Sequence, residues 1–272
     1  MAKTVLITGA SSGIGKSTAI YLAQSGYNVY GAARRIEKME ELKTYGIITL
    51  PIDVTKDESM KACVEQIFEE AGRIDILINN AGFGLYGSIE DVSMEEAKYQ
   101  LEVNVFGAMR LTQLVLAKMR ENRYGKIVNI SSIAGKVVMP FGGWYHASKF
   151  AIEALSDAMR VEVKQFGIDV IVIEPGGIKS EWGDIAAESL MRTSGKTAYG
   201  KLAAAFKKIF TLMAENDPEP IVIAKLIKKA IEAAHPKTRY VGGYMAKPVL
   251  LLRKILSDKM LDKLMLKQAL KK

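Results

Sequence analysis

Cysteine and histidine are almost missing from this chain. Cys63 is the one cysteine in 272 residues, so neither an intrachain disulfide nor a cysteine-rich metal site can form, and a reducing compartment is expected. His146 and His235 are the only histidines, which leaves no histidine metal centre; no metal is expected. No apolar run approaches the ~20 residues needed to span a bilayer. Residues 1–8 place too few apolar residues between a basic head and a glycine turn to read as a secretory leader, and a cytoplasmic location is the expectation. The charge imbalance is modest, 38 Lys+Arg against 30 Asp+Glu for a net +8. These bases are scattered and bring no recognition motif, so nucleic acid is not an expected partner. An anionic cofactor or an anionic lipid surface suits the excess better.

Hydrophobic residues make up 49% and charged residues 25%, enough for a large core. The length suits a single α/β unit. Short β-branched runs alternate with helical stretches, which implies a parallel sheet covered on both faces. Strands are expected at residues 4–8, 27–32, 47–52, 75–79, 126–130, 169–173 and 239–241. Helices are expected at 16–25, 36–44, 56–71, 95–120, 145–166 and 221–234.

Two clusters carry chemistry. The first strand runs into Gly9-Ala10-Ser11-Ser12-Gly13-Ile14-Gly15 and then into a helix. Glycines let the backbone turn sharply and approach a ligand, while the N–H groups and dipole of a helix start attract anionic oxygens. This makes a pyrophosphate cradle, although its Gly-x-x-x-Gly-x-Gly spacing differs from the commoner Gly-x-Gly-x-x-Gly fingerprint and from a P-loop. A purely structural glycine turn is the alternative. In the second cluster Tyr145 and Lys149 are four apart, so a helix presents both on one face, where an ammonium can lower the pKa of a phenol. Ser132 ends the apolar run Lys126-Ile127-Val128-Asn129-Ile130, and the carboxyl ends of strands are where open α/β sheets bind ligands. Together they read as an acid for a carbonyl oxygen. Ser131 and His146 read as structural neighbours.

In order and spacing, Thr8-Gly9-Ala10-Ser11-Ser12-Gly13-Ile14-Gly15, Asn79-Asn80-Ala81-Gly82, Asn104, Ser132, Tyr145-x-x-x-Lys149 and Pro175-Gly176-Gly177-Ile178 resemble the short-chain dehydrogenase/reductases. The resemblance spans roughly residues 3–182. It implies a Rossmann-type, doubly wound parallel sheet of about seven strands and an oxidoreductase moving a hydride between a nicotinamide and a carbonyl or secondary alcohol. It assigns catalysis to Asn104, Ser132, Tyr145 and Lys149, with Lys149 also holding the nicotinamide ribose and Asn104 bending a helix and holding a water. It places the cofactor against Gly9, Ser11, Ser12, Gly13, Ile14 and Gly15, with Asp53 and Val54 at the adenine and Asn80, Ala81 and Gly82 at the ribose. Pro175, Gly176, Ile178 and Ser180 border the nicotinamide. By the family pattern Ala33 stands where an acidic residue would select NAD(H). Arg34 and Arg35 follow it, so NADP(H) is favoured. Homodimers or homotetramers are implied as well.

Segment 181–220 is expected to close over the site as a lid, and its Trp182, Ile185, Leu190, Met191, Phe206, Phe210 and Met213 favour an apolar substrate, with steroid, retinoid, fatty-acyl chain and aromatic ketone all open. Those residues could equally pack the lid onto the body. The segments Pro236-Lys237-Thr238-Arg239-Tyr240 and Leu252-Arg253-Lys254-Ile255-Leu256 resemble those of family members acting on steroids, retinoids and acylated lipid precursors. Two other readings stand beside the enzyme: a redox-sensing dinucleotide-binding regulator and a membrane-surface scaffold. The domain is expected over residues 1–247. Residues 248–272 read as a basic amphipathic helix, apolar residues alternating with Lys254, Lys259, Lys263, Lys267, Lys271 and Lys272, which either packs on the protein or a partner or lies in a membrane interface.

Overall fold

The computed structural model describes residues 2–269, without the side chains of Trp182, Gln268 and Ala269. Seven strands form one all-parallel sheet in the order β3-β2-β1-β4-β5-β6-β7. They are β1 Thr4–Thr8, β2 Asn28–Ala33, β3 Ile48–Pro51, β4 Ile76–Asn79, β5 Gly125–Ile130, β6 Ile168–Pro175 and β7 Arg239–Gly242. Strand side chains alternate between faces, and the core divides accordingly. Val5, Ile7, Ile78, Val128 and Ile171 pack under α1 (Gly13–Ala23) and α8 (Ile221–Glu232). Leu6, Leu77, Ile127 and Val170 pack under α2 (Asp57–Ala71), α4 (Ala108–Glu121) and α5 (Gly143–Val163). This is the doubly wound Rossmann-type architecture.

The structure corrects the sequence expectation in four places. Residues 36–44 form a 3₁₀ helix, Ile36–Tyr45, rather than an α-helix; its buried Met39 and Leu42 are three apart, which suits a three-residue turn. The single helix expected at 95–120 is α3 (Met94–Leu101), then a π turn over Glu102–Gly107, then α4. Helix α1 begins at Gly13, three residues early, because the glycine turn itself supplies its first turn. The single basic helix expected from residue 248 is two helices, α9 (Ala246–Ile255) and α10 (Asp258–Ala269), broken at Leu256 and Ser257. Ala246 is buried, so α9 is rooted in the body, against β7, while α10 packs on α7 (Gly200–Ala214) with Leu261 turned inward. Lys271 and Lys272 lie outside the described residues. Helix α6 (Trp182–Ser194) pairs with α7 within the segment expected to act as a lid.

Candidate active site

The carboxyl ends of β1, β4, β5 and β6 converge on one rim. At β1 the chain turns through Gly9, whose φ of 69° suits glycine. A Cβ on Gly9 would fall 2.8 Å from the Asn80 amide nitrogen, and one on Gly15 would fall 2.5 Å from it. That amide donates to the carbonyl oxygens of Thr8 (2.9 Å) and Gly9 (3.3 Å), while the Thr8 hydroxyl accepts from the backbone N–H groups of Asn80 and Ala81, both at 3.0 Å. The glycine turn and the Asn80-Ala81-Gly82 segment are therefore one locked unit. Gly13, at φ 53°, faces Ser180. The Ser12 side chain makes no capping hydrogen bond to α1, so the first N–H groups of that helix remain aimed at the rim as an anion cradle.

The two arginines after β2 diverge. Arg34 donates to the Tyr99 hydroxyl at 2.7 Å. Arg35 reaches the Ser11 and Ser12 hydroxyls at 3.5 and 3.4 Å and pairs with Glu181 at 3.4 Å. Asp53 accepts from the backbone N–H and hydroxyl of Thr55. Burial would raise its carboxyl, but those donors, Arg34 and Lys56 outweigh it and hold the group below the usual carboxylate range. The Val54 carbonyl lies under Gly107, where a Cβ would overlap it, so its neighbour is the last residue of the π turn.

Asn104 sits in the π turn, buried. Its oxygen accepts from Phe83 N–H at 3.1 Å and its nitrogen donates to the Phe83 carbonyl and the Ser148 hydroxyl, each at 3.0 Å. A side chain so committed requires the extra residue of a π turn, a helix defect common at functional sites. Ser148 in turn donates to the Tyr145 carbonyl, which ties Asn104 to α5.

Ser132 caps the 3₁₀ turn Ile133–Gly135, accepting from Ala134 N–H at 3.1 Å and donating to the Pro175 carbonyl at 3.2 Å. It also hydrogen-bonds the Tyr145 phenol. Lys149 donates to the Ile130 carbonyl at 2.9 Å, its nitrogen 5.8 Å from the Tyr145 ring centre. Burial pushes the Tyr145 phenol up to about 12 against the pull of Ser132, and burial lowers Lys149 to about 8 against the pull of Glu153. Burial thus sets the direction at the phenol, and the Lys149 ammonium is held by a carbonyl. His146 is structural as expected, donating to the Ala134 carbonyl and accepting from Met139 N–H.

Tyr145 shares an apolar cluster with Tyr86 and Phe141 and with Leu190 and Phe206 of α6 and α7. Tyr86 lies against Tyr145 with ring centres 6.0 Å apart and planes tilted by 35°, and it meets Phe210 edge-on at 5.2 Å. Of the expected lid residues, Leu190 and Phe206 are fully buried, Met191, Phe210 and Met213 partly so, and Ile185 is exposed; the side chain of Trp182 lies outside the described residues. Sequence reasoning missed three groups. Tyr86 and Phe141 carry no motif. Asp217 packs against Gly177, where a Cβ would overlap its carboxylate, and one of its oxygens is buried without a hydrogen bond. The Pro175–Ile178 loop beside it is pinned to the segment after β7 by paired backbone bonds between Gly177 and Tyr244.

The chain matches the short chain dehydrogenase family over residues 3–189. It belongs to that family. This short-chain dehydrogenase is 44% identical over 181 residues to the 3-ketodihydrosphingosine reductase of Bacteroides thetaiotaomicron, covering 66% of this chain and 65% of that one. It is 36% identical over 272 residues to the NADPH-dependent 3-dehydrocapnine reductase of Ornithobacterium rhinotracheale, covering 96% and 95%. Among solved structures it superposes on a short-chain dehydrogenase from Streptomyces avermitilis with a TM-score of 0.80 and 30% identity, covering 98% of this chain and 96% of that one. This short-chain dehydrogenase is accordingly an oxidoreductase acting on CH–OH and C=O groups with a nicotinamide dinucleotide, and its glycine turn leading into the N-terminus of α1 fits the anionic part of that group.

Proposed function

We propose that this enzyme is an NADP(H)-dependent reductase of an apolar ketone, with Ser132, Tyr145 and Lys149 as its reacting side chains. The observation that carries this reading is their convergence: Ser132 on the phenol of Tyr145, Lys149 one turn along α5, and an apolar wall around Tyr145. The bound dinucleotide supplies a hydride to the carbonyl carbon. Ser132 hydrogen-bonds the carbonyl oxygen and Tyr145 gives it a proton, so the developing alkoxide is neutralised as it forms. Lys149 restores the phenol's proton, and Asn104 holds the helix bend that positions α5. Gly9, Ser11, Ser12, Gly13, Ile14 and Gly15 would cradle the pyrophosphate, Asn80, Ala81 and Gly82 the ribose, Asp53 and Val54 the adenine, and Pro175, Gly176, Ile178 and Ser180 the nicotinamide.

Phosphate preference rests on charge. Ala33 offers no carboxylate to repel a 2′-phosphate, while Arg34 and Arg35 border the same rim. The substrate reading rests on the aromatic wall and on a groove of about 440 Å³ that Phe141 lines together with Ile89, Pro140, Tyr199 and Leu202. Such a groove suits an elongated apolar tail. Both relatives are named as reductases of a 3-keto or 3-dehydro compound, the same direction of reaction. The decisive experiment follows NADPH oxidation with a panel of steroid, retinoid and acyl-chain ketones. Turnover of none of them, with cofactor bound, would sink the substrate class.

The tail supports a second, peripheral role. Leu251, Ile255 and Met260 are more than half exposed, with Lys247, Arg253, Lys254, Lys259 and Lys263 around them. No helix of the described residues is long and apolar enough to cross a membrane. A face of this kind suits an anionic lipid surface or a second copy of the chain.

A further inference from the structure

The basic border of the glycine turn already carries a carboxylate, and it comes from the far side of the chain. Glu181 bridges two half-exposed cations: one of its oxygens stands 3.2 Å from Lys38 Nζ and the other 3.4 Å from Arg35 Nη1. Arg35 Nη2 meanwhile lies 3.5 and 3.4 Å from the Ser11 and Ser12 hydroxyls of the turn. Arg34 turns away to the neutral Tyr99 hydroxyl. The carboxylate therefore sits on the cations beside the cradle, as an anionic oxygen group of a ligand would.

Every one of these contacts lies at the long end of the N–H···O range or beyond it, and exposed ion pairs are weak and screened by salt. Charge holds Glu181 here, so more charge can displace it. A phosphate monoester brings about two negative charges and three acceptor oxygens, against one charge and two oxygens on the carboxylate.

Displacement has a structural consequence, because Glu181 immediately precedes α6 and lies 146 residues from Arg35 in the chain. Its backbone carbonyl accepts the first helical bond of α6, from Ile185 N–H at 3.1 Å. The second half of α6 is anchored separately. Ser189 exchanges hydrogen bonds with the Tyr86 backbone at 3.2 and 3.1 Å, and the Ser194 hydroxyl accepts from Ser88 N–H at 2.8 Å. The ion pairs thus clamp only the start of the helix.

We infer that Glu181 is a specificity-determining residue for the cofactor: its carboxylate occupies the cations a 2′-phosphate would take, so the phosphate must displace it and thereby frees the first turn of α6. The inference deepens the proposed function and rests on its NADP(H) reading. A dinucleotide without that phosphate leaves the clamp in place. The coupling is reciprocal: the factor by which Glu181 weakens phosphate binding is the factor by which the phosphate weakens the clamp. Glu181 is the repulsive element of the site, and Arg35 and Lys38 are the attractive ones.

The test compares 2′,5′-ADP, which carries the 2′-phosphate without a nicotinamide, with 5′-AMP, which lacks it, on the full-length protein. Calorimetry should show Glu181→Gln binding 2′,5′-ADP about threefold more tightly than wild type, the size expected of an exposed ion pair, with 5′-AMP unchanged. Hydrogen exchange read by mass spectrometry should show wild-type residues 181–188 exchanging faster with 2′,5′-ADP than with 5′-AMP, and residues 189–194 alike with both. Glu181→Gln should exchange at the faster rate over 181–188 with no nucleotide present. An ion pair that only supports the fold would loosen α6 in the variant without moving the ratio of the two affinities. A wild type that prefers 2′,5′-ADP, with that ratio unmoved in Glu181→Gln or with equal exchange over 181–188, overturns the inference alone. No preference for 2′,5′-ADP in either protein overturns the NADP(H) reading and the inference with it.

Discussion

The amide of Asn80 fills the space that side chains on Gly9 and Gly15 would need. Its hydrogen bonds to the Thr8 and Gly9 carbonyls make that position permanent. The cradle is therefore shaped from β4 as much as from its own glycines.

Gly15→Ala should accordingly damage the protein itself as well as cofactor binding. The new methyl meets backbone that cannot move away, and overpacking of this kind costs about 1–3 kcal/mol. Thermal melting with and without NADPH should show a lower Tm and a smaller rise on adding the cofactor. An unchanged Tm would mean that the turn opens freely.

Replacing Tyr145 by Phe should lower kcat by at least ~10²-fold while NADPH still binds, because only the proton donor is lost and the ring still packs against Tyr86. Cofactor fluorescence titration beside steady-state kinetics checks both halves. Substantial residual turnover would place the acid elsewhere.

Cofactor preference should shift towards NADH in the double variant Ala33→Asp with Arg34→Ala, which adds repulsion and removes attraction. Since Arg35 reaches Ser11 and Ser12, Arg35→Ala should weaken NADPH more than NADH. The ratio of kcat/KM for the two cofactors is the readout, and an unmoved ratio in both variants would assign phosphate recognition to other groups.

Stability should depend on Glu174 in a defined pH window. Its folded carboxyl is raised to about 7 from an ordinary value of 4.5, so its contribution is present below about pH 4.5 and is lost as pH rises through 7. Urea melts should show wild type losing stability relative to Glu174→Gln between pH 5 and 7. Parallel curves would mean that Glu174 is ionised throughout.

The exposed tail face should bring the protein down with anionic liposomes at low salt and release it at high salt. Leu251→Asp with Ile255→Asp should abolish that binding without unfolding, because both side chains point outward. Deleting the whole tail is a poorer test, since Ala246 and Leu261 are buried in the body. If the protein stays in the supernatant and the variant alters its sedimentation coefficient, the face joins two copies of the chain.

Much of this was legible in the sequence because it is local. Strand alternation, the glycine turn, and the i, i+4 relation of Tyr145 to Lys149 depend on backbone geometry within a few residues, and every strand was placed to within two residues at each end. The tertiary structure alone decided what depends on meetings across the chain. It put Asn80 into the glycine turn, divided a 95–120 helix through the bonds of Asn104 to Phe83, and broke the tail into two helices, one against β7 and one on α7. It buried Tyr145 against Tyr86, Phe141 and Phe206, and that burial raises its phenol. It also gathered Lys136, Glu153, Glu174 and Arg239, which are up to 103 residues apart, into one cluster. Burial and the field of distant charges are properties of assembled layers, and no local pattern in the chain encodes them.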